Sequence, residues 1–211
     1  MKANAGGIGR DEIIAGYRSV RAAMMRVTNA ASPVCRKTDF LRAAELLRLE
    51  TNNGHIDAGE DDIEMLADVA LFEPDLKGMR VYDRFLKAPA MRRLAPADQD
   101  IARKMTTAFF SFFHVAGRHE VAGLWLEDIL SKNRRIWIVD EGLEASAPTG
   151  LCFAARLFDA GDFHAGFGIV IPLGDATLEA YISLSTMPGM ATGGGALAPY
   201  IYANAIHGVA A

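Results

Sequence analysis

The sequence predicts an α+β fold: a helical N-terminal half packed with a five-stranded antiparallel sheet or small open β-barrel, followed by a C-terminal helix. Three observations predict it. Apolar residues recur at spacings of three and four up to about residue 104. From Phe109 to Ile171 the spacing becomes a two-residue alternation broken by turn residues. Gly174-Asp175 then opens another helical pattern. The expected organisation is a helical region over 1–104, an antiparallel β module over 105–172 and a C-terminal helix with an uncharged tail over 173–211. These pack as one domain or as two intimately associated ones.

Taken in order, Ile13, Tyr17, Val20, Met24 and Val27 form one stripe of a helix from Asp11 to Asn29, with Asp11 and Glu12 suiting its dipole. Arg18, Arg21 and Arg26 on that helix read as solvated charge. A second helix starts at Ser32-Pro33 or at Thr38 and runs to about Glu50, burying Phe40, Ala44 and Leu47. The third has a capping-box start, Asp57 followed by Glu60, with Ile63, Leu66 and Ala70 as its apolar stripe up to Pro74. The link between them fails as a calcium loop because Leu49 stands where the leading aspartate should coordinate. A short helix carries Met79, Tyr82 and Leu86, Pro89 to Pro96 reads as a loop, and Pro96 opens a helix through Ile101 and Met105.

The strand Phe109–Val115 is apolar on both faces, so it must be covered twice. Val121–Leu130 and Arg135–Asp140 flank the polar turn Ser131-Lys132-Asn133-Arg134 and place Trp125 and Trp137 opposite each other. After a connection over Glu141–Gly150, Leu151–Phe158 and Phe163–Ile171 flank a turn at Asp159-Ala160-Gly161-Asp162. Beyond Glu179 no acidic residue, lysine or arginine occurs, so this tail either packs on the body or meets another subunit.

Composition narrows the function classes. An apolar content of 51% and a net charge of −4 fit a folded globule rather than a disordered chain. No secretory signal or apolar span long enough for a membrane helix is read, so the expectation is a cytoplasmic protein with no membrane partner. Cys35 and Cys152 lack metal or redox spacing and read as apolar fillers. The β module carries five basic residues and eight acidic ones, which makes nucleic acid an unfavoured partner. Gly193-Gly194-Gly195 lacks the lysine and hydroxyl residue of a phosphate loop and reads as a connector.

Gly123-Leu-Trp-Leu-Glu-Asp-Ile-Leu, Arg135-Ile-Trp-Ile-Val-Asp-Glu-Gly-Leu-Glu-Ala-Ser-Ala and Ala155-Arg156-Leu157 resemble a pattern in uncharacterised bacterial proteins with N-terminal helices and a C-terminal β module. The resemblance implies this architecture, and neither an activity nor functional residues.

His114, Asp128, Asp140, Glu141, Arg156 and His164 fall on neighbouring strands or their ends. Of these, His114, Asp128, Asp140 and Glu141 are the catalytic candidates, since paired carboxylates with a histidine can carry out acid/base chemistry when burial tunes them. Asp159, Asp162 and His164 are the metal-ligand candidates, although three ligands on one turn seldom suffice. Neither set amounts to a catalytic motif, and no cofactor is expected. The leading expectation is a non-enzymatic protein acting through protein contacts or self-association, with a homo-oligomer formed through 180–211. A small-ligand binder or enzyme using the strand-end acids and His164 is the alternative, and a nucleic-acid-binding barrel the second alternative.

Overall fold

Amphipathic periodicity sets the first half of the chain. The computed structural model describes residues 9–186 and 197–208. Segment 1–8, the glycine run 193–195 and the rest of 187–196 lie outside the described residues, as does 209–211. Helix α1 (Arg10–Ala31) buries Ile13, Tyr17, Met24 and Val27 and leaves Val20 half-buried, as its stripe predicts. Helix α2 (Lys37–Leu46) follows a 3-10 turn over Ser32–Val34, so Ser32-Pro33 opens that turn and not the helix. A two-residue hairpin, β1 (Thr51–Asn52) with β2 (His55–Ile56), links it to α3 (Glu60–Phe72).

The start of α3 differs from expectation. Gly59 is the N-cap, and the Asp62 carboxylate accepts the Gly59 N–H at 3.0 Å, so Asp57 and Glu60 form no capping box. Of its expected apolar stripe Leu66 and Ala70 are buried but Ile63 is 54% exposed, Val69 and Leu71 being buried beside them. Helices α4 (Val81–Lys87), α5 (Pro89–Arg93) and α6 (Pro96–Lys104) complete the half. The α5 segment was expected to be a loop; Pro89 sits at its first position, where the missing N–H costs nothing.

Strands β3 (Phe109–Arg118), β4 (Leu124–Asp128), β5 (Arg134–Ile138), β6 (Cys152–Asp159) and β7 (His164–Leu173) form one sheet in the neighbour order β3-β4-β5-β7-β6. The sheet is mixed and not purely antiparallel. Strand β3 pairs with both β4 and β6, and β5 meets β7 in a parallel bridge, Ile138 to His164. The reason is parity: an odd number of strands paired all the way round cannot alternate direction at every step. The Glu141–Gly150 connection carries a further unexpected element, helix α7 (Glu141–Ser146), capped by Asp140.

The expected two-sided covering of β3 is present. Its inward residues Phe113 and Val115 pack with Leu124, Leu126, Ile136 and Phe153 inside the curled sheet. Outward, Phe110 and Phe112 pack under α8 (Asp175–Ser185) and α9 (Leu197–Ile206) through Tyr181, Ile201 and Tyr202. Burial of Leu197, Ala198, Ile201, Tyr202 and Ala203 accounts for the absence of charge in that helix. No described helix is long and apolar enough to cross a membrane.

Candidate functional site

Strand alternation and helix packing together create the site. On β6, Phe153, Ala155 and Leu157 point into the curled sheet, so Ala154, Arg156 and Phe158 point toward the helices. Arg156 therefore sits between two apolar clusters and is only 5% exposed. A guanidinium at such a position requires partners. Its Nε lies 3.0 Å from both oxygens of Asp68, and its Nη2 donates to Glu73 Oε1 at 2.6 Å. Its planar head lies over the rings of Phe72 and Phe110, at 5.5 and 5.8 Å from their centroids.

Asp68 and Glu73 come from the last turn and the C-cap of α3, and they are 5% and 1% exposed. Two carboxylates facing one buried guanidinium leave an excess of negative charge. Burial pushes the Glu73 carboxyl up to about 7; Arg156 opposes the rise and Asp68 adds to it. Burial also raises Asp68, against the attraction of Arg156. The second Glu73 oxygen, Oε2, is buried without a hydrogen-bond partner among the described residues, as is the Tyr202 hydroxyl near Asp68. Replacing such an ionic cluster by apolar groups is often neutral, so its presence is weak evidence of a stabilising role.

The cluster borders a cavity of about 480 Å³ between the α3–α4 connection and the starts of β3 and the β4–β5 turn, lined by Phe72, Glu73, Arg80, Phe110, Ser111 and Arg156 among others. The polar wall is unevenly committed. Arg80 uses Nε and Nη2 on Asp83, and Nη1 on the Thr106 carbonyl at 3.2 Å. Ser111 points its side chain, like Phe113 and Val115, into the sheet interior, where its hydroxyl donates to Asp128 in a very short hydrogen bond. Asp128 is fully buried, and its Oδ2, 3.6 Å from Arg134 Nη2, has no hydrogen-bond partner among the described residues. A second, more apolar cavity of about 300 Å³ lies between α1, α3 and β7, with Met24, Met25 and Phe167 in its wall and Asp68 reaching it from the other side.

The residues singled out in the sequence are dispersed. His114 Nδ1 lies 3.3 Å from Glu127 Oε2, with both side chains about two-fifths exposed. Asp140 caps α7 through the Leu143 N–H and accepts the Tyr17 hydroxyl, both at 3.0 Å. Glu141 pairs with Arg18 at 2.7 Å, so that arginine, like Arg26 with Asp98, is committed to an acid on another element rather than solvated alone. Asp159 Oδ1 accepts the Gly161 N–H at 2.8 Å and so builds the turn. Asp162 is exposed, while His164 lies edge-on to Phe109, with burial lowering its pKa. No group of three or more His, Cys, Asp or Glu side chains placed to hold a metal occurs among the described residues.

Of the sequence candidates only Arg156 lines the cavity, and it does so with partners the sequence reading passed over. Asp68 had a signal: an acid within the apolar run Leu66-Ala67-Asp68-Val69-Ala70-Leu71-Phe72. Glu73 had none beyond its place before Pro74. The two tryptophans do face each other in register, and His119, unremarked in the sequence, stacks on Trp137 with centroids 3.9 Å apart.

No curated protein and no solved structure matches the chain. The profile of one family does match, over residues 11–185, which takes in both the helical half and the whole sheet. The chain belongs to that family, DUF7986, a family of unknown function.

Proposed function

We propose that this protein binds a small ligand in the cavity beside Arg156, with the curled sheet, read as a small barrel joined at its β5–β7 seam, serving as scaffold. One observation carries the reading. Glu73 lines the cavity, is 1% exposed, and holds one carboxylate oxygen on Arg156 while the other has no partner among the described residues. An unpaired buried acceptor costs about 1–3 kcal/mol, a cost that a bound donor would offset. The filled interior of the sheet leaves the helix–sheet junction as the better place for a ligand.

Native mass spectrometry against a pool of small metabolites tests this directly. The expected result is a retained ligand that raises the melting temperature by about 5–10 °C at a hundredfold excess over Kd. Ala108→Phe, which adds a ring to the cavity wall, is expected to abolish both effects. A pool that leaves the folded protein unliganded, with no thermal shift, would reject the reading.

Self-association through 180–211 is a second proposal, supported by α8, which buries Tyr181 alone and leaves Leu178, Ile182 and Leu184 partly exposed. Sedimentation at high micromolar concentration decides it, a monomer being the contrary result.

A further inference from the structure

The unused groups on the cavity wall say what kind of ligand it suits. Glu73 and Arg156 both line the cavity, and each is engaged on one side. Arg156 donates from Nε to Asp68 and from Nη2 to Glu73, along one edge of its planar head. Nη1 carries N–H groups on the other edge and donates to nothing among the described residues. Glu73 accepts at Oε1 and holds Oε2 without a partner among the described residues. A donor and an acceptor thus stand unused on two residues already joined by a hydrogen bond of 2.6 Å. The rest of the polar wall offers less. Arg80 donates from all three nitrogens, to Asp83 and to the Thr106 carbonyl, and Ser111 turns its hydroxyl into the sheet toward Asp128.

Charge selects among ligands for this pair. A cation donating to Glu73 would face Arg156. An anion accepting from Arg156 would join Asp68 and Glu73, which already outnumber the guanidinium. A neutral group with an acceptor beside a donor meets both residues without either penalty. We infer that the cavity takes a small neutral carboxamide, whose carbonyl oxygen accepts from Arg156 Nη1 and whose N–H donates to Glu73 Oε2. The inference rests on the ligand-binding reading above and specifies its chemistry. Phe72, Pro74 and Leu130 give the wall an apolar part for a single ring, and a volume of about 480 Å³ holds such a molecule with room for water.

The test uses benzamide, benzylamine and benzoate, which share one ring and differ in the charge of the head group. Each is titrated into the isotope-labelled full chain and followed by two-dimensional NMR at pH 8, where the Glu73 carboxyl, pushed up to about 7, is ionised. Benzamide is expected to shift the amides of Phe72, Glu73 and Arg156, and to bind about tenfold or more tightly than either charged analogue. Glu73→Gln keeps its carbonyl on Arg156 and sets an amide N–H where Oε2 stood, so benzamide affinity should fall about 10- to 100-fold. Glu141→Gln, at the separate contact with Arg18, should leave it unchanged. The spectrum of Glu73→Gln reports its folding in the same experiment, and the ranking of the three probes on the wild type depends on no variant. Tighter or equal binding of a charged analogue at these amides, or a benzamide affinity unmoved by Glu73→Gln, would overturn the carboxamide inference while leaving the cavity as a binding site. Silence of benzamide also overturns it, and the ligand-binding reading then stands or falls on the metabolite pool alone.

Discussion

Replacing Glu73 by glutamine should flatten part of the pH dependence of stability, in a window that the structure sets. The change keeps the shape of the side chain and an acceptor for Arg156 Nη2 but removes the charge. In the folded state the Glu73 carboxyl titrates near 7, against 4.5 for the ordinary group, because burial disfavours its ionised form. The folded protein therefore binds a proton more tightly than the unfolded chain does. Stability is greatest below about 4.5 and declines as pH rises, until the loss is complete above about 7. The difference between the two values corresponds to about 3 kcal/mol. Urea unfolding of the wild type and of Glu73→Gln at pH 5, 6, 7 and 8 measures most of it, with the variant gaining about 2.5 kcal/mol relative to wild type between pH 5 and pH 8. His119 and His164, whose pKa values burial lowers, act in the opposite sense, but both proteins share them and the difference cancels them. Asp68, also raised, titrates in the same sense as Glu73 and is eased when the neighbouring charge is removed, which adds to the expected difference. Parallel curves for the two proteins would show that Glu73 is not held in a charge-excess site, and would remove the ground for reading its free oxygen as a ligand contact.

Three further outcomes follow from the same geometry. Arg156→Leu strands Asp68 and Glu73 in an apolar setting and should cost about 3–5 kcal/mol in urea unfolding at pH 8, less at pH 5 where Glu73 is protonated. Gly123→Ala should destabilise by at least about 2 kcal/mol, read as a lower urea midpoint with altered tryptophan fluorescence, because a Cβ there would lie 2.1 Å from the Ile138 carbonyl oxygen at a φ of +78°. Asp140→Ala removes the cap of α7 and the partner of Tyr17, a loss of about 1–3 kcal/mol in thermal unfolding.

Local pattern made much of the architecture legible. The change from helical spacing to alternation located the sheet, and the polar turn at Lys132 and Asn133, both with φ of 57°, paired Trp125 with Trp137 as expected. Short helices escaped notice for a physical reason. Segments such as Pro89–Arg93 and Glu141–Ser146 are too brief to display a period, and caps and tertiary contacts stabilise them. Ile63 misled because two adjacent faces of α3 both carry apolar residues, and only packing selects the one that is buried. The candidate site was less legible than the fold. Asp140 and Asp159 carry acids for backbone reasons, a cap and a turn, which composition alone does not separate from chemistry.

The sequence by itself determined the periods, the number of strands in the sheet and the need to cover β3 on both faces, since each is a property of neighbouring residues along the chain. Only the tertiary structure decided the parallel seam, the docking of α9 on Phe110 and Phe112, and the partners of Arg156. Those partners lie 88 and 83 residues away, and no local preference relates them. They meet because β6 turns one face to α3, and a guanidinium buried there is tolerated only where carboxylates are brought to it.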